Sequence, residues 1–137
     1  MALNIVQETQ KYMKQAKDAL SGRYLQRMKD SFAAYLAELS GEQDAVFTMD
    51  GGFVVKLRRG GASRTKEAFS TGQRDVVSLC SRLALVDALF EEEAPFLVLD
   101  DPFANMDDMT VRRAKTLLAS AAKKHQILYL TCHSSRS

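Results

Sequence analysis

Four apolar residues, Phe96-Leu97-Val98-Leu99, run straight into two aspartates, Asp100-Asp101, and a second apolar run spans Ile127 to Thr131. Pro102 to Asp108 reads as loop, and Met109 to Lys124 as helix. Strand, helix and strand over about 35 residues make a βαβ unit with a right-handed crossover. A continuous apolar strand is expected in the centre of a parallel sheet, covered on both faces. Its C-terminal edge is then where the two carboxylates are delivered. The class is α/β.

The rest of the chain leads up to that unit. Residues 3 to 20 read as a polar helix with sparse apolar positions at Leu3, Val6, Met13 and Leu20. Ser21-Gly22 interrupts it. Residues 23 to 39 form a second helix whose stripe, Leu25, Met28, Phe32, Tyr35 and Leu39, steps by three and four. The phase fits the root of a coiled coil, and equally an amphipathic helix lying on a sheet. Ser40-Gly41 ends it. Ala45 to Met49 and Phe53 to Leu57 are short strands joined by Asp50-Gly51-Gly52, a hairpin signal. Arg58-Arg59-Gly60-Gly61 reads as the next turn, with a third strand around Arg64 to Phe69. Ser70 or Thr71 caps a helix running to about Phe90. That helix is apolar over more than half its girth and is expected to be buried on two sides. Glu91 to Pro95 breaks it.

At 137 residues the chain is one domain with a sizeable core. No apolar run approaches the length of a membrane span, and the N-terminus lacks the pattern of a signal peptide. Cys80 and Cys132 have no paired spacing, so a cytoplasmic, reduced protein is expected. The net charge is +2, but it is unevenly distributed. Residues 83 to 111 hold eight acids and no Lys or Arg, whereas residues 112 to 137 hold six bases and no acid. Residues 50 to 67 carry five bases against two acids. An acidic centre with basic margins suits a metal-nucleotide site beside an anionic partner. Solvated surface charge accounts for the basic part equally well.

Several positions could carry chemistry. Asp100 sits where an apolar strand meets solvent, a place from which a carboxylate holds Mg²⁺. Asp101 points to the other side, toward an attacking water. Ser70-Thr71-Gly72-Gln73 at a helix start is a small anion receptor, built from free N–H groups and the positive end of the helix dipole. Gly72 lets the backbone approach a phosphate. A plain helix cap with a turn glycine is the simpler reading of the same four residues. His133 follows a strand directly and can bond a phosphate oxygen or a water. A zinc site from Cys132, His133, His125 and Cys80 fails on spacing. Gly60 to Lys66 resembles a phosphate loop, but Thr65 and Glu67 stand where the second glycine and the hydroxyl should be.

Order and spacing then agree with a known family. Phe69-Ser-Thr-Gly-Gln73 is followed 27 residues after Gln73 by Asp100 and 60 residues after it by His133. With Tyr24-Leu25, Arg82-Leu-Ala-Leu85, Phe96 to Phe103, Ala104-Asn-Met-Asp107 and Leu130-Thr-Cys-His133, the chain resembles the C-terminal lobe of an ABC-type ATPase head. The class is SMC/SbcC, closest to the bacterial YhaN-like ATPases. The resemblance implies a partial P-loop NTPase fold. Residues 1–40 would be the end of a coiled coil and its connecting helix, and residues 41–137 the lobe itself. It implies that Ser70, Thr71, Gly72 and Gln73 form the signature motif, which reaches the γ-phosphate held by the other subunit of a head-to-head homodimer. Asp100 matches the Walker B aspartate for Mg²⁺, Asp101 the catalytic base, Asp107 the D-loop aspartate and His133 the switch histidine. Phe69 and Thr71 replace the usual Leu and Gly of the signature, and Asp101 replaces a Glu. The phosphate loop and glutamine loop of the family are absent from these residues. The chain is therefore expected to be a split or truncated piece that needs an N-terminal P-loop lobe to bind ATP and Mg²⁺, and to be inactive alone. DNA and a nuclease subunit are implied partners, in DNA repair or chromosome maintenance. A catalytically silent lobe that binds DNA or protein is the alternative. A transporter ATPase fits less well, because transporter cassettes keep both lobes contiguous.

Overall fold

The computed structural model describes residues 2–40, 46–49, 54–59, 62–64, 68–90, 92–93 and 95–133. The elements run α1 (Ala2–Ser40), β1 (Val46–Met49), β2 (Val55–Arg59), β3 (Ala62–Arg64), α2 (Thr71–Leu89), β4 (Leu97–Asp100), α3 (Asp108–Ala121) and β5 (Ile127–Leu130).

The two helices expected before residue 40 are one helix of 39 residues. Ser21-Gly22 does not break it. A glycine inside a helix costs only about 1 kcal/mol, while ending and restarting a helix costs a second nucleation. Gly22 faces open space, with no atom within 4 Å of where a β-carbon would stand. Gly22→Ala is therefore expected to strengthen the helix by about 0.5–1 kcal/mol. Amide exchange across residues 4–19 should slow about two- to fivefold, and unchanged exchange would contradict this account.

The two halves of α1 differ. Residues 4–19 are exposed. Met28, Phe32, Leu36 and Leu39 are buried, with Tyr35 packed beside them. This is the predicted stripe with Leu36 added and with Leu25 only partly buried. It packs along α2 and touches α3. Asp87 ties α1 and α2 to the end of α3. The Tyr35 hydroxyl donates to its carboxylate, and His125 Nε2 lies 3.5 Å from the other carboxylate oxygen. Arg27 donates to the Asp87 carbonyl at 3.2 Å. Burial, together with the bond to Asp87, pushes the Tyr35 phenol above its ordinary value.

β1, β2 and β3 form an antiparallel sheet, with Thr48 opposite Lys56 and Arg58 opposite Ser63. The hairpin is present, with its second strand starting at Val55 rather than Phe53. The third strand comes earlier than expected, at Ala62–Arg64. Both predicted turn sequences contain glycines outside the described residues.

β4 and β5 pair in parallel, with Leu97 opposite Ile127 and Asp100 opposite Leu130. This is the βαβ unit read from the sequence. One expectation fails: among the described residues, neither strand is covered on both faces. Leu99 is buried, and Leu97, Ile127 and Tyr129 pack against the core. Val98, Leu128 and Leu130, one residue out of phase, are 48%, 52% and 46% exposed. Side chains alternate along a strand, so a strand apolar at every position has two apolar faces, and only one of them meets the core. Phe96 adds to the open face. Phe103 anchors the covered side, fully buried with its ring centroid 5.2 Å from that of Tyr129.

Candidate functional site

The site residues are placed by two helix starts and two strand ends. At the first helix start, Ser70 and Gln73 form a reciprocal capping box. Ser70 Oγ accepts from the Gln73 N–H at 3.2 Å, and Gln73 Oε1 accepts from the Ser70 N–H at 3.0 Å. The first backbone bond of α2 runs from the Arg74 N–H to the Ser70 carbonyl. The N–H groups of Thr71 and Gly72 precede it and lie at the positive end of the helix dipole. The Ser70 hydroxyl accepts with its oxygen, so its own hydrogen stays available to an anion. The Gln73 amide nitrogen is likewise turned from the cap. Thr71 is exposed.

Gly72 has a role beyond phosphate approach. A β-carbon built there would lie 2.7 Å from the Asn105 carbonyl oxygen. The glycine thus permits close packing of α2 against the loop that precedes α3. Asp75 secures the same contact from the next turn. Its carboxylate accepts from the Asn105 backbone N–H at 3.2 Å and from the Asn105 side-chain amide at 3.0 Å. Ser40, Ser70, Gly72, Gln73, Asn105 and Asp107 line part of a cavity of about 450 Å³ at this junction.

Asp107 caps α3. Its carboxylate accepts from the Thr110 N–H at 2.9 Å and the Thr110 hydroxyl at 2.6 Å. The Thr110 hydroxyl, then its amide, hold the Asp107 carboxyl below the usual 3.8. A depressed carboxyl contributes stability above its unfolded value and loses it as pH falls through the folded value. The contribution of this cap should therefore fade below about pH 4. Asp107→Ala is expected to cost about 1 kcal/mol at neutral pH, as a lost helix cap does, and Asp107→Asn much less. Urea unfolding at pH 7 and pH 3 checks both, since the disadvantage of the Ala variant should shrink at the lower pH while that of the Asn variant, which keeps a neutral acceptor, changes less.

The strand ends hold the second group. Asp100 closes β4 and is exposed. It lines a cleft of about 150 Å³ with Asp75, Ser78, Arg82, Asp101 and others. The cleft's carboxylate and hydroxyl oxygens are the donors that Mg²⁺ takes. Asp101 has φ of 42°, in the left-handed region that Asp and Asn enter more readily than most residues. Holding a non-glycine residue there costs on the order of 1–3 kcal/mol and often marks a functional position. Three bonds keep it in place. Its N–H donates to the Leu130 carbonyl at 2.8 Å, which extends the β4–β5 register by one residue. Its carboxylate accepts from the Thr131 hydroxyl at 3.3 Å and the Cys132 thiol at 3.2 Å. His133 Nε2 stands 3.7 Å from the same carboxylate. The bond to Asp101 raises the Cys132 thiol above its ordinary value. Cys80 is different in kind, fully buried and pushed up to about 12 by desolvation.

The predicted residues thus gather in two groups, not around one point. Ser70, Gly72, Gln73 and Asp107 meet at the α2–α3 junction, whereas Asp100, Asp101 and His133 meet at the strand ends. The Asp75–Asn105 bonds join the groups. Of the zinc set rejected on spacing, Cys80 and His125 lie in the interior. Cys132 and His133 do meet a third ligand type, Asp101. Sequence reasoning misses Asp75, Asn105 and Thr131, because no local spacing links residue 75 to 105 or 101 to 131.

No protein-family model matches the sequence, and no curated protein matches it. Solved structures do. The head domain of Smc from Pyrococcus yayanosii, with its coiled coil and joint, aligns at a TM-score of 0.73 and 22% identity. That alignment covers 95% of this chain and 26% of that one. The SMC head domain from Thermotoga maritima aligns at 0.60 and 25% identity, covering 81% of this chain and 39% of that one. A chain from a structural study of ATP-driven dimerization and DNA-stimulated activation of SMC ATPases aligns at 0.66 and 20% identity, covering 81% of this chain and 70% of that one. The present chain therefore matches from 26% to 70% of the lengths of these structures. Its helices and parallel strands have the fold of an SMC ATPase head, over part of that head.

Proposed function

We propose that this chain is the C-terminal half of an SMC-like ATPase head of the SbcC/YhaN-like kind, with residues 1–40 as the run-in from a coiled coil and residues 41–137 as the lobe. The observation that carries the reading is the open face of β4 and β5. Phe96, Val98, Leu128 and Leu130 are too apolar for a face left to water. They lie on the two strands whose ends present Asp100, Asp101 and His133. A second lobe that supplies further strands and a phosphate loop would cover this face and complete the nucleotide site in one step. No helix among the described residues is long and apolar enough to cross a membrane, so a membrane-spanning helix does not explain it.

In this reading each residue has one task. Asp100 would hold Mg²⁺, which neutralises phosphate charge when bound. Asp101 takes a proton from the attacking water, with its carboxylate aimed by Thr131. His133 donates to a phosphate oxygen. Ser70, Gly72 and Gln73 present a hydroxyl, backbone N–H groups and an amide to the nucleotide of a second head. The D-loop turn, fastened through Asn105 to Asp75, links the two sites. DNA is held through its phosphates by the basic margins, without sequence reading.

The test mixes the purified chain with a P-loop lobe of the same protein and follows Mg-ATP hydrolysis with and without DNA. The chain alone should be silent, the mixture active, and the Asp100→Ala mixture inactive. Hydrolysis by the chain alone, lost on Asp100→Ala, would overturn the proposal. Lobes that unite but never turn over ATP would favour the interaction-module reading.

A further inference from the structure

Asp101, Cys132 and His133 place one carboxylate, one thiol and one imidazole around a common point. Cys132 Sγ lies 3.2 Å from Asp101 Oδ2, and His133 Nε2 lies 3.7 Å from that oxygen. All three ligand atoms lie within 4.8 Å of one another. Tetrahedral zinc, with bonds of about 2.0–2.3 Å to N, O and S, sets its ligand atoms about 3.3–3.7 Å apart. Two of the three separations already fall close to that range. The third, between Cys132 and His133, is within 4.8 Å, and both side chains are exposed and free to adjust it by rotation.

The surroundings are those of a built site. Thr131 donates its hydroxyl to Asp101 Oδ1 at 3.3 Å and accepts the His133 backbone N–H at 3.2 Å. One residue thereby orients a ligand and fixes the loop carrying the other two, the usual work of an outer shell around a metal. Parallel pairing of Asp100 with Leu130 sets the two chain segments side by side. The donor set also selects the ion. Mg²⁺ takes oxygen alone, whereas thiolate with imidazole favours zinc and its neighbours.

We propose that Asp101, Cys132 and His133 bind one zinc-class divalent ion, with a fourth position open to water. On binding, the Cys132 S–H bond breaks, a sulfur–metal bond forms and the proton leaves to solvent; no electron is transferred. The site belongs to this chain alone and needs no second lobe. Its consequence for turnover does rest on the reading above: a metal there holds Asp101 and His133 away from water and phosphate, so zinc would switch hydrolysis off.

The test uses the purified 137-residue chain and two probes, Zn²⁺ and Co²⁺. Zinc titrated against a chromophoric chelator should bind at one equivalent and resist millimolar Mg²⁺. Cobalt should give visible d–d bands and a thiolate-to-cobalt charge-transfer band. Cys132→Ser should abolish the charge-transfer band and weaken zinc by at least about tenfold. Thr131→Val should weaken zinc about 10- to 100-fold while keeping the band, as loss of an outer-shell partner does. Cys132 and His133 are exposed, so circular dichroism should show intact variants. Absence of a thiolate band in the unmodified chain, its persistence in Cys132→Ser, or unchanged zinc affinity in that variant would each overturn the proposal. None of these readouts involves ATP, so they stand or fall apart from the hydrolytic reading.

Discussion

Phe103→Ala is expected to destabilise the chain by about 3–5 kcal/mol, the range for removing a fully buried aromatic ring. The ring is at 0% exposure and packs at a tilt of 35° to Tyr129. It stands directly after Asp100-Asp101-Pro102, in the turn that carries the chain from β4 toward α3. Its carbonyl accepts the Met106 N–H at 3.2 Å, and the cavity would open against Tyr129 of β5. Chemical denaturation should show a lower midpoint with little change in slope. Phe103→Leu, which retains much of the apolar volume, should lose less. A stability loss under about 1 kcal/mol for Phe103→Ala, well below the cavity range, would mean that the core here is looser than described.

Asp101→Asn should reduce ATP turnover by the assembled head about 10²- to 10⁴-fold, the usual contribution of a positioned general base. The substitution keeps the backbone and the side-chain shape. Asn tolerates the left-handed backbone about as well as Asp, and its carboxamide has nearly the same shape. The Leu130 carbonyl would still receive the residue 101 N–H. What disappears is the charge proposed to accept a proton from water, together with one of the two acceptor oxygens that face the Thr131 hydroxyl and the Cys132 thiol. Turnover should therefore fall while KM changes little, since nucleotide binding is proposed to lie with Asp100, His133 and the second lobe. Single-turnover ATP hydrolysis measures this directly. Full turnover by the Asn variant would remove Asp101 from the chemistry.

Ser70 and Gln73 are readable as a helix start because the capping box is local, spanning three residues. The Asp107 cap is equally local, an aspartate three before a threonine, yet Pro102 to Asp108 reads as loop and the helix as starting at Met109, one residue late. The βαβ unit is readable from two apolar runs and the helical stretch between them. The unbroken α1 is not, because Ser21-Gly22 looks like a stop and only the cooperativity of the helix decides otherwise. The contacts of Asp75 with Asn105, and of Asp101 with Cys132 and His133, are also invisible along the chain. Each spans about 30 residues, and the Asp101 contacts arise only once β4 and β5 lie in register. The zinc reading by spacing fails for that reason: local spacing runs along the chain, whereas Asp101 approaches from the neighbouring strand. The open face of β4 and β5 is half readable. Apolarity at every position demands cover on both sides, but it does not say which polypeptide provides it.

The long α1 has a mechanical consequence. Its foot, from Met28 to Leu39, is seated on α2, and α2 begins at the Ser70 capping box, so packing couples the rod to the start of α2. The part beyond Gly22 extends about 30 Å at 1.5 Å per residue. Measured from Met28, where the seat begins, the rod is about 39 Å long, so a tilt of about 10° there would swing the far tip by about 7 Å. Small angular adjustments at the start of α2 would thus arrive at the other end of the rod as displacements as large as a helical turn.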